Sequence, residues 1–301
     1  MTPSPANPWK ILLIGKEGQV GGELSTFLQP FGELIACGED DLDLTQVDLI
    51  RKKVRDVRPH VIVNAAAYTA VDKAEEEPEL ALAVNGTAPA ILAEEAKKLG
   101  AAMVHYSTDY VFDGEKTAPY TEEDLPNPLG VYGKTKLAGD EAIQSTGLPH
   151  FIFRTAWVYG RKGKNFLLTM QRLAQERDEL KIVDDQIGSP TWCRTIAQTT
   201  VNILTQVLPQ NSPGDLSHFE RASGLYNLVC SGQTSWFGFA KAILETSPSP
   251  LATQLIPIPT SEYPTAAKRP HNSVLSTEKL KSAFGITLPD WEETLKYCLS
   301  R

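Results

Sequence analysis

The chain has 301 residues and a formal net charge of −8, with 42% hydrophobic and 22% charged residues. These values predict a globular protein with a large core, and they argue against a general nucleic-acid-binding surface, which needs excess positive charge. The four cysteines are scattered, and no apolar stretch approaches the ~18 residues of a membrane span, so we expect a cytoplasmic protein without a disulfide framework.

The chain opens with a Pro- and Ser-rich stretch, residues 1–8, which lacks the apolar core of a signal peptide and predicts a flexible tail. Residues 11–14 form an apolar run typical of a strand buried on both faces of a parallel sheet. The loop Gly15-x-x-Gly18-x-x-Gly21 follows and opens into a predicted helix at residues 22–28. Glycines at such a turn let backbone N–H groups approach a pyrophosphate, although the spacing differs by one residue from Gly-x-Gly-x-x-Gly. A strand-to-helix turn without a ligand is the alternative.

Strands and helices alternate through the first half of the chain. Strands are predicted at residues 33–37, 60–63 and 101–106, with helices at 47–57 and 75–100. This order predicts an α/β fold, a Rossmann-type doubly wound parallel sheet. Glu39 follows the second strand without an Arg, so this stretch leaves NAD and NADP as alternatives.

Three side chains with reaction chemistry follow the fourth strand. Thr108 stands at its end, where ligands of open α/β sheets bind. Tyr132 and Lys136 are four positions apart, so a helix places them on one face. An ammonium beside a phenol favours the phenolate, and such a tyrosine can transfer a proton at an alcohol or carbonyl oxygen. A lone Tyr-x-x-x-Lys can arise by chance, and a lone Thr at this place can simply cap the strand end. The three residues together favour a catalytic site.

The alternation loosens after a sixth strand predicted at residues 151–159. A basic turn at 161–165 either attracts a diphosphate or is simply solvated. A helix at 166–176, a strand at 180–184, a surface connection at 209–223 and a strand at 225–229 follow. We predict an NAD(P)-binding domain over residues 9–160 and a smaller mixed α/β substrate-binding domain over 161–301. Segments near 192–206 and 224–245 are expected to return to the first domain.

The chain resembles the extended short-chain dehydrogenase/reductase family. The likeness covers nearly the whole chain apart from the first nine residues, and it includes the stretches 63–75, 107–114, 132–139, 153–159, 185–191 and 263–270. The motif residues that carry it are Gly15, Gly18, Gly21, Asn64-Ala65-Ala66, Asn85, Thr108, Tyr132 and Lys136.

The resemblance implies hydride transfer from NAD(P)H to the C4 ketone of a dTDP-sugar, dTDP-4-dehydro-β-L-rhamnose, in the last step of dTDP-L-rhamnose biosynthesis. It implies that Tyr132 is the general acid, with Lys136 and Thr108 as the other catalytic residues. The cofactor-binding residues that it implies are Gly15, Gly18, Gln19, Val20, Asp43, Leu44, Ala66, Ala67, Tyr68, Tyr106, Tyr132 and Lys136. The substrate-binding residues that it implies are Thr108, Asp109 and Trp157. Arg269, after a Pro-rich loop, is a further candidate for substrate anchoring and can equally form a surface salt bridge.

Two departures from the family pattern matter. Members often carry an Asp at the end of the second strand, where this chain has Gly38-Glu39, so this departure leaves ribose recognition and coenzyme preference open. NADPH is the expected coenzyme, and NADH is expected to be accepted to some degree because no Arg follows the second strand. Some relatives dimerise around Mg²⁺ bound by C-terminal acids. Glu292 and Glu293 are present here, but a solvated helix face is the simpler interpretation. No metal-binding residue is therefore assigned, Mg²⁺ stays an open cofactor, and the protein is expected to be a monomer or a homodimer.

Two rival functions share this fold. A sugar-nucleotide 4,6-dehydratase needs Asp-Glu directly after the hydroxyl residue, whereas Thr108 is followed by Asp109-Tyr110. A regulatory subunit of the methionine adenosyltransferase type keeps much of the motif set without catalysing the reaction. The intact Thr108, Tyr132, Lys136 and Trp157 favour the enzyme.

Overall fold

The computed structural model describes residues 8–247 and 253–300. The predicted tail, residues 1–8, lies outside these ranges except for Pro8. The strands are β1 (Trp9–Ile14), β2 (Gly32–Cys37), β3 (Val61–Asn64), β4 (Ala102–Thr108), β5 (His150–Thr155), β6 (Val158–Tyr159), β7 (Glu179–Val183), β8 (Ile187–Gly188), β9 (Thr191–Trp192), β10 (Gly224–Asn227), β11 (Thr234–Ser235) and β12 (Gln254–Ile258).

Helices connect these strands. They are α1 (Gln19–Phe27), α2 (Val47–Val57), α3 (Val71–Ala74), α4 (Pro78–Leu82), α5 (Ala88–Leu99), α6 (Val131–Thr146), α7 (Phe166–Glu176), α8 (Cys193–Val207), α9 (Ser217–Ala222), α10 (Trp236–Thr246), α11 (Glu278–Phe284) and α12 (Trp291–Leu299). Within the described ranges, no helix combines the length and the apolar character needed to cross a bilayer.

A six-stranded sheet organises the molecule, in the order β10-β5-β4-β3-β1-β2, and every neighbouring pair is parallel. Successive side chains of β1 face opposite sides. Ile11 and Leu13 join a core cluster with α1 and α8, whereas Leu12 and Ile14 join a second cluster with α2 and α5. Because both faces are covered, the strand reads as an unbroken apolar run. The predicted doubly wound parallel sheet is confirmed.

The long helix predicted at residues 75–100 is only partly correct. The chain is helical from Pro78 to Leu99, but residues Ala83–Thr87 form a π-helical segment between α4 and α5. A proline suits the first turn of a helix, which explains the later start, and Gly100 ends the helix with a φ of +67°. The π segment carries Asn85, and π-bulges often mark functional positions.

The single strand predicted at residues 151–159 is wrong. β5 ends at Thr155 and β6 starts at Val158, because Trp157 between them has a φ of +46°. An L-residue in that region cannot continue a strand. The predicted connection at 209–223 also contains α9, whose Phe219 is buried in the first core cluster.

The C-terminal half divides its contacts between the large sheet and a third core cluster. α8 packs with the first cluster and β10 extends the sheet beside β5, in register from Gly224 to Asn227. α10 instead packs Phe239 and Ile243 into the third cluster with α7, β7 and α12. Short parallel strand pairs, β12 with β7 and β6 with β9, complete this part.

Candidate active site

The turn between β1 and α1 is packed backbone against backbone. Gly15 has a φ of +87°, and a Cβ built on Gly21 would stand 2.0 Å from the Gly15 oxygen. Glycine is therefore required at both positions. α1 starts at Gln19 after Gly18, and no side-chain hydrogen bond caps this N-terminus within the described structure. The N–H groups of this first turn, which includes Gln19 and Val20, fit the pyrophosphate of a dinucleotide.

Two asparagines hold the segment after β3, residues 66–68, which we call the cofactor strip. Asn85, from the π segment, clamps the backbone of Tyr68: its Oδ1 accepts from the Tyr68 N–H at 2.8 Å and its Nδ2 donates to the Tyr68 carbonyl at 3.0 Å. The Asn64 Oδ1 accepts from the Ala66 N–H at 3.2 Å. These bonds fix the predicted cofactor residues Ala66, Ala67 and Tyr68 beside the glycine turn, where small side chains leave room for a flat ligand.

The end of β2 holds two charged side chains that sequence reasoning missed. A Cβ on Gly38 would overlap the Glu17 carboxylate, so this acid fills the place of a side chain at position 38. Lys16 donates to Asp41, whose Oδ2 also accepts from the Gly38 N–H at 2.9 Å. Ribose and 2′-phosphate recognition take place at this point in dinucleotide folds. Both charges come from the glycine turn rather than from the residues after β2, so the local sequence after β2 carries no signal of them.

The predicted adenine-side residues follow β2 directly. The Asp43 Oδ1 accepts from both the N–H and the hydroxyl of Thr45, at 2.8 and 2.7 Å, and these bonds hold the pKa of Asp43 below its usual value. Leu44 is buried in the second core cluster. The predicted cofactor residue Tyr106 points its phenol at Thr200 of α8, 2.8 Å away, and turns its carbonyl towards Lys136.

Thr108 and Tyr132 meet where the end of β4 faces the start of α6. The Thr108 Oγ1 accepts from the Tyr110 N–H and donates to the Asp109 carboxylate, each at 3.1 Å. Burial raises the pKa of Tyr132 to about 12, although the neighbouring Thr108 hydroxyl acts in the opposite direction. A phenol with such a pKa keeps its proton at neutral pH, so Tyr132 is held in the form that can donate.

Lys136 lies one turn further along α6 and is 1% exposed. Its Nζ donates to the Tyr106 carbonyl at 2.6 Å and lies 3.0 Å from the His105 Nε2. Burial lowers the pKa of Lys136 to about 8, although the Asp140 carboxylate acts in the opposite direction. The expected lowering of the Tyr132 pKa by Lys136 is not found, because the amine is bonded towards β4 and burial dominates at the phenol.

Asp109 is buried beside Thr108, at 2% exposure. Burial raises the pKa of its carboxyl to about 6. Its Oδ2 has no hydrogen-bond partner among the described residues. A buried acceptor without a partner is costly unless a ligand or water completes it, so Asp109 suits a contact with a polar substrate group.

Trp157 and Arg269 approach the site from the C-terminal half. The Trp157 ring stacks on Trp236 with centroids 3.5 Å apart and planes at 6°. The Arg269 Nη2 donates to the Asp72 carboxylate at 2.6 Å. Burial raises the pKa of Tyr110, and the Arg269 charge acts in the opposite direction. The Tyr110 ring in turn meets the Tyr132 ring edge-on, with centroids 5.7 Å apart. Arg269 thus forms the salt bridge weighed as its alternative role, yet it sits at the edge of the reaction centre.

Glu292 and Glu293 lie in the first turn of α12, after the capping residue Asp290. Acids suit this position because of the helix dipole. No group of three or more acidic, His or Cys side chains arranged to hold a metal occurs in residues 8–247 and 253–300.

The parallel sheet, the glycine turn and the Thr108–Tyr132–Lys136 arrangement define an extended short-chain dehydrogenase/reductase. Comparisons with known proteins agree. The family model described as RmlD substrate binding domain matches residues 9–301. A dTDP-4-dehydrorhamnose reductase of Burkholderia thailandensis is 47% identical over 296 residues, which cover 96% of this chain and 98% of that protein.

Solved structures show the same likeness. A dTDP-4-dehydrorhamnose reductase from Clostridium acetobutylicum has a TM-score of 0.88 and 38% identity, covering 97% of this chain and 98% of that one. One from Bacillus anthracis, in complex with NADP, has a TM-score of 0.88 and 33% identity, with coverage of 97% and 99%. The chain belongs to the dTDP-4-dehydrorhamnose reductase family.

Proposed function

We propose that this protein reduces the C4 ketone of dTDP-4-dehydro-β-L-rhamnose to dTDP-β-L-rhamnose, with hydride from NADPH. One observation carries the proposal: the structure brings Thr108 and the protonated Tyr132 together at the carboxyl end of β4, beside a turn that fits a dinucleotide. Relatives that cover nearly the whole chain are named for this reaction.

The protein's own task is to supply a proton and to orient the ketone. The bound dihydronicotinamide supplies hydride at the carbonyl carbon. Tyr132 donates its phenol proton to the C4 oxygen as negative charge develops there. The Thr108 hydroxyl, which donates to the Asp109 carboxylate in the free protein, turns its one hydrogen to the same C4 oxygen when the ketone is bound. Lys136, buried one turn away on the same helix, is proposed to bind the cofactor ribose.

Three residues are proposed to hold the sugar nucleotide. The Asp109 Oδ2, buried without a partner, accepts from a sugar hydroxyl. Trp157, locked by its stack on Trp236, provides a flat apolar wall. Arg269, neutralised in part by Asp72, orders the loop over the reaction centre and reaches the nucleotide side of the substrate.

We propose NADPH as the main coenzyme, with NADH also used. Lys16 places a cation near the end of β2, where a 2′-phosphate is recognised, and Glu17 beside it suits the free ribose hydroxyls of NADH. A mixture of both charges supports acceptance of both coenzymes. The Bacillus anthracis relative was solved with NADP.

The regulatory alternative is less well supported. Such a protein has no need of a protonated tyrosine beside a strand-end threonine, and the similar proteins are named as reductases. The dehydratase alternative requires a glutamate at position 110, and this chain has a tyrosine there, whose ring packs edge-on against Tyr132.

A single substitution tests the assignment. Tyr132→Phe should lower kcat by about 10²- to 10⁴-fold, the usual range for a general acid, while the NADPH dissociation constant stays within threefold. Stopped-flow reduction of the keto-sugar and fluorescence titration with NADPH measure the two quantities. Tyr297→Phe, at an exposed tyrosine of α12, is the matched control. Undiminished turnover by Tyr132→Phe would exclude Tyr132 as the proton donor.

A further inference from the structure

A hydrogen-bond chain runs behind Lys136 into the core of the sheet. His105 of β4 is 0% exposed. One of its ring nitrogens faces β3 and the other faces α6. The Nδ1 lies 3.1 Å from the Asn64 Nδ2 of β3, and the Nε2 lies 3.0 Å from the Lys136 Nζ of α6. Burial, aided by the Lys136 charge, holds the pKa of His105 well below its usual value, so the ring is neutral.

The orientation of Asn64 decides which nitrogen of this ring carries the hydrogen. The Asn64 Oδ1 accepts from the Ala66 N–H at 3.2 Å, which turns the amide NH₂ towards the His105 Nδ1. An amide NH₂ only donates, so Nδ1 must be the acceptor. A neutral imidazole has one hydrogen, and it therefore lies on Nε2, directed at the Lys136 Nζ.

This arrangement sets a condition on Lys136. An ammonium has three donors and no acceptor, so it cannot receive a hydrogen bond from the Nε2–H. A neutral amine has a lone pair and can. We propose that His105 is a positioning residue for Lys136, which rests on the function proposed above: with its tautomer fixed by Asn64, its Nε2–H favours the neutral amine and lets Lys136 exchange a proton near neutral pH.

The other charged groups around this chain explain why the lysine is not neutral at all pH values. Asp140, one turn further along α6, is buried, and its Oδ1 lies 3.9 Å from the His105 Nε2. Its Oδ2 accepts from the Ser107 hydroxyl at 2.7 Å and faces Arg154 of β5 at 3.7 Å. Asp140 favours the ammonium, whereas His105 and burial oppose it. The two effects together keep both forms of Lys136 within reach.

The hydrogen-bond chain through His105 and Asn64 also links Lys136 to the cofactor strip. Protonation of Lys136 places donor against donor at Nε2, and this repulsion is relieved if the hydrogen moves to Nδ1 or the ring turns. Either change unpairs Asn64, whose other amide atom holds the Ala66 N–H in the strip beside the glycine turn. The charge of Lys136 and the geometry of Ala66 are therefore coupled through His105.

Imidazole ¹⁵N NMR of the whole protein, without substrate or coenzyme, tests the chain directly. At pH 9.5, above the Lys136 titration, the His105 resonances should show the Nε2–H tautomer, and His105 should remain neutral down to pH 5.5. An Nδ1–H tautomer at pH 9.5, or a His105 titration near pH 6.5, overturns the proposal. Because neither measurement involves turnover, a failure here is distinct from a failure to reduce the keto-sugar.

His105→Asn supplies the second test. Asparagine keeps a group near the Nδ1 position to pair with Asn64 but removes the Nε2–H. The titration midpoint of the Lys136 ¹³Cε resonance should rise by about one pH unit, a tenfold change in its proton affinity, and the alkaline limb of the kcat/KM profile should rise with it. His150→Asn, at a half-buried histidine of β5, is the control and should shift neither. An unchanged midpoint in His105→Asn overturns the proposal.

Discussion

Replacing Gly21 by alanine tests the phosphate-binding turn. A Cβ at this position would stand 2.0 Å from the Gly15 oxygen and 2.7 Å from the Gly15 carbonyl carbon. Ordinary van der Waals contact begins near 3.4 Å. The turn must therefore open by more than an ångström, and the Gly15 oxygen that moves also accepts the Gly18 N–H at 3.0 Å.

The size of the effect follows from this overlap. Overpacking of a tight site costs about 1–3 kcal/mol, and here it falls on the backbone that fits the pyrophosphate. We expect the NADPH dissociation constant to rise by roughly 5- to 150-fold. Isothermal titration calorimetry with NADPH measures it, and circular dichroism shows whether the variant is folded.

Gly22→Ala is the matched control in the next position of the same helix. A Cβ there meets only the Lys16 oxygen, at 3.5 Å, and alanine is a better helix former than glycine by about 0.5–1 kcal/mol. This variant should bind NADPH as the wild type does, with an equal or higher Tm. A folded Gly21→Ala protein that binds NADPH with wild-type affinity would refute the placement of the pyrophosphate at this turn.

Three further predictions concern charge. Glu95→Gln should lower the free energy of unfolding by about 2 kcal/mol at pH 7, because the bond to Arg55 and further cations lower the pKa of the buried Glu95 to about 2. This contribution to stability is complete above pH 4.5 and is lost as the pH falls towards 2. Urea unfolding of the variant and of the wild type should therefore converge at about pH 2. Lys16→Gln should weaken NADPH binding relative to NADH binding by roughly fivefold, about 1 kcal/mol, whereas the exposed control Lys134→Gln should not. If calorimetric titrations give Lys16→Gln and the wild type the same ratio of NADPH to NADH dissociation constants, the 2′-phosphate assignment is contradicted. Since burial raises the pKa of Asp109 to about 6, kcat/KM should fall below pH 6 as the carboxylate is protonated, and Asp109→Asn should lose this acid limb; an acid limb that persists in the variant would assign it to another group.

The sequence predicts those features that local pattern determines. The apolar run of β1 reveals a strand covered on both faces, and the amphipathic pattern of α2 gives its bounds, Val47–Val57, without error. The sequence also places Thr108 at the end of a strand and Tyr132 and Lys136 on one helix, as the structure has them, because each lies at a recognisable place in its element.

Features that depend on distant parts of the chain escape such reasoning. Glu17 lies against Gly38 although 21 positions separate them, and no local pattern after β2 indicates a charge from the preceding turn. His105 and Asn64 come from neighbouring strands, and only the register of β3 and β4 places them side by side. The positive φ of Trp157 likewise has no signal in the local sequence, and it divides what the apolar pattern presents as one strand.

The most direct test of the central claim follows the hydride itself. The wild-type protein is incubated with dTDP-4-dehydro-β-L-rhamnose and NADPH carrying deuterium at nicotinamide C4, on either face in separate reactions. With one of the two labels, ¹H NMR of the product should show dTDP-β-L-rhamnose with deuterium at C4 of the sugar and nowhere else. Failure to form this product with either NADPH or NADH, by a folded protein that binds the coenzyme, would contradict the proposed reaction.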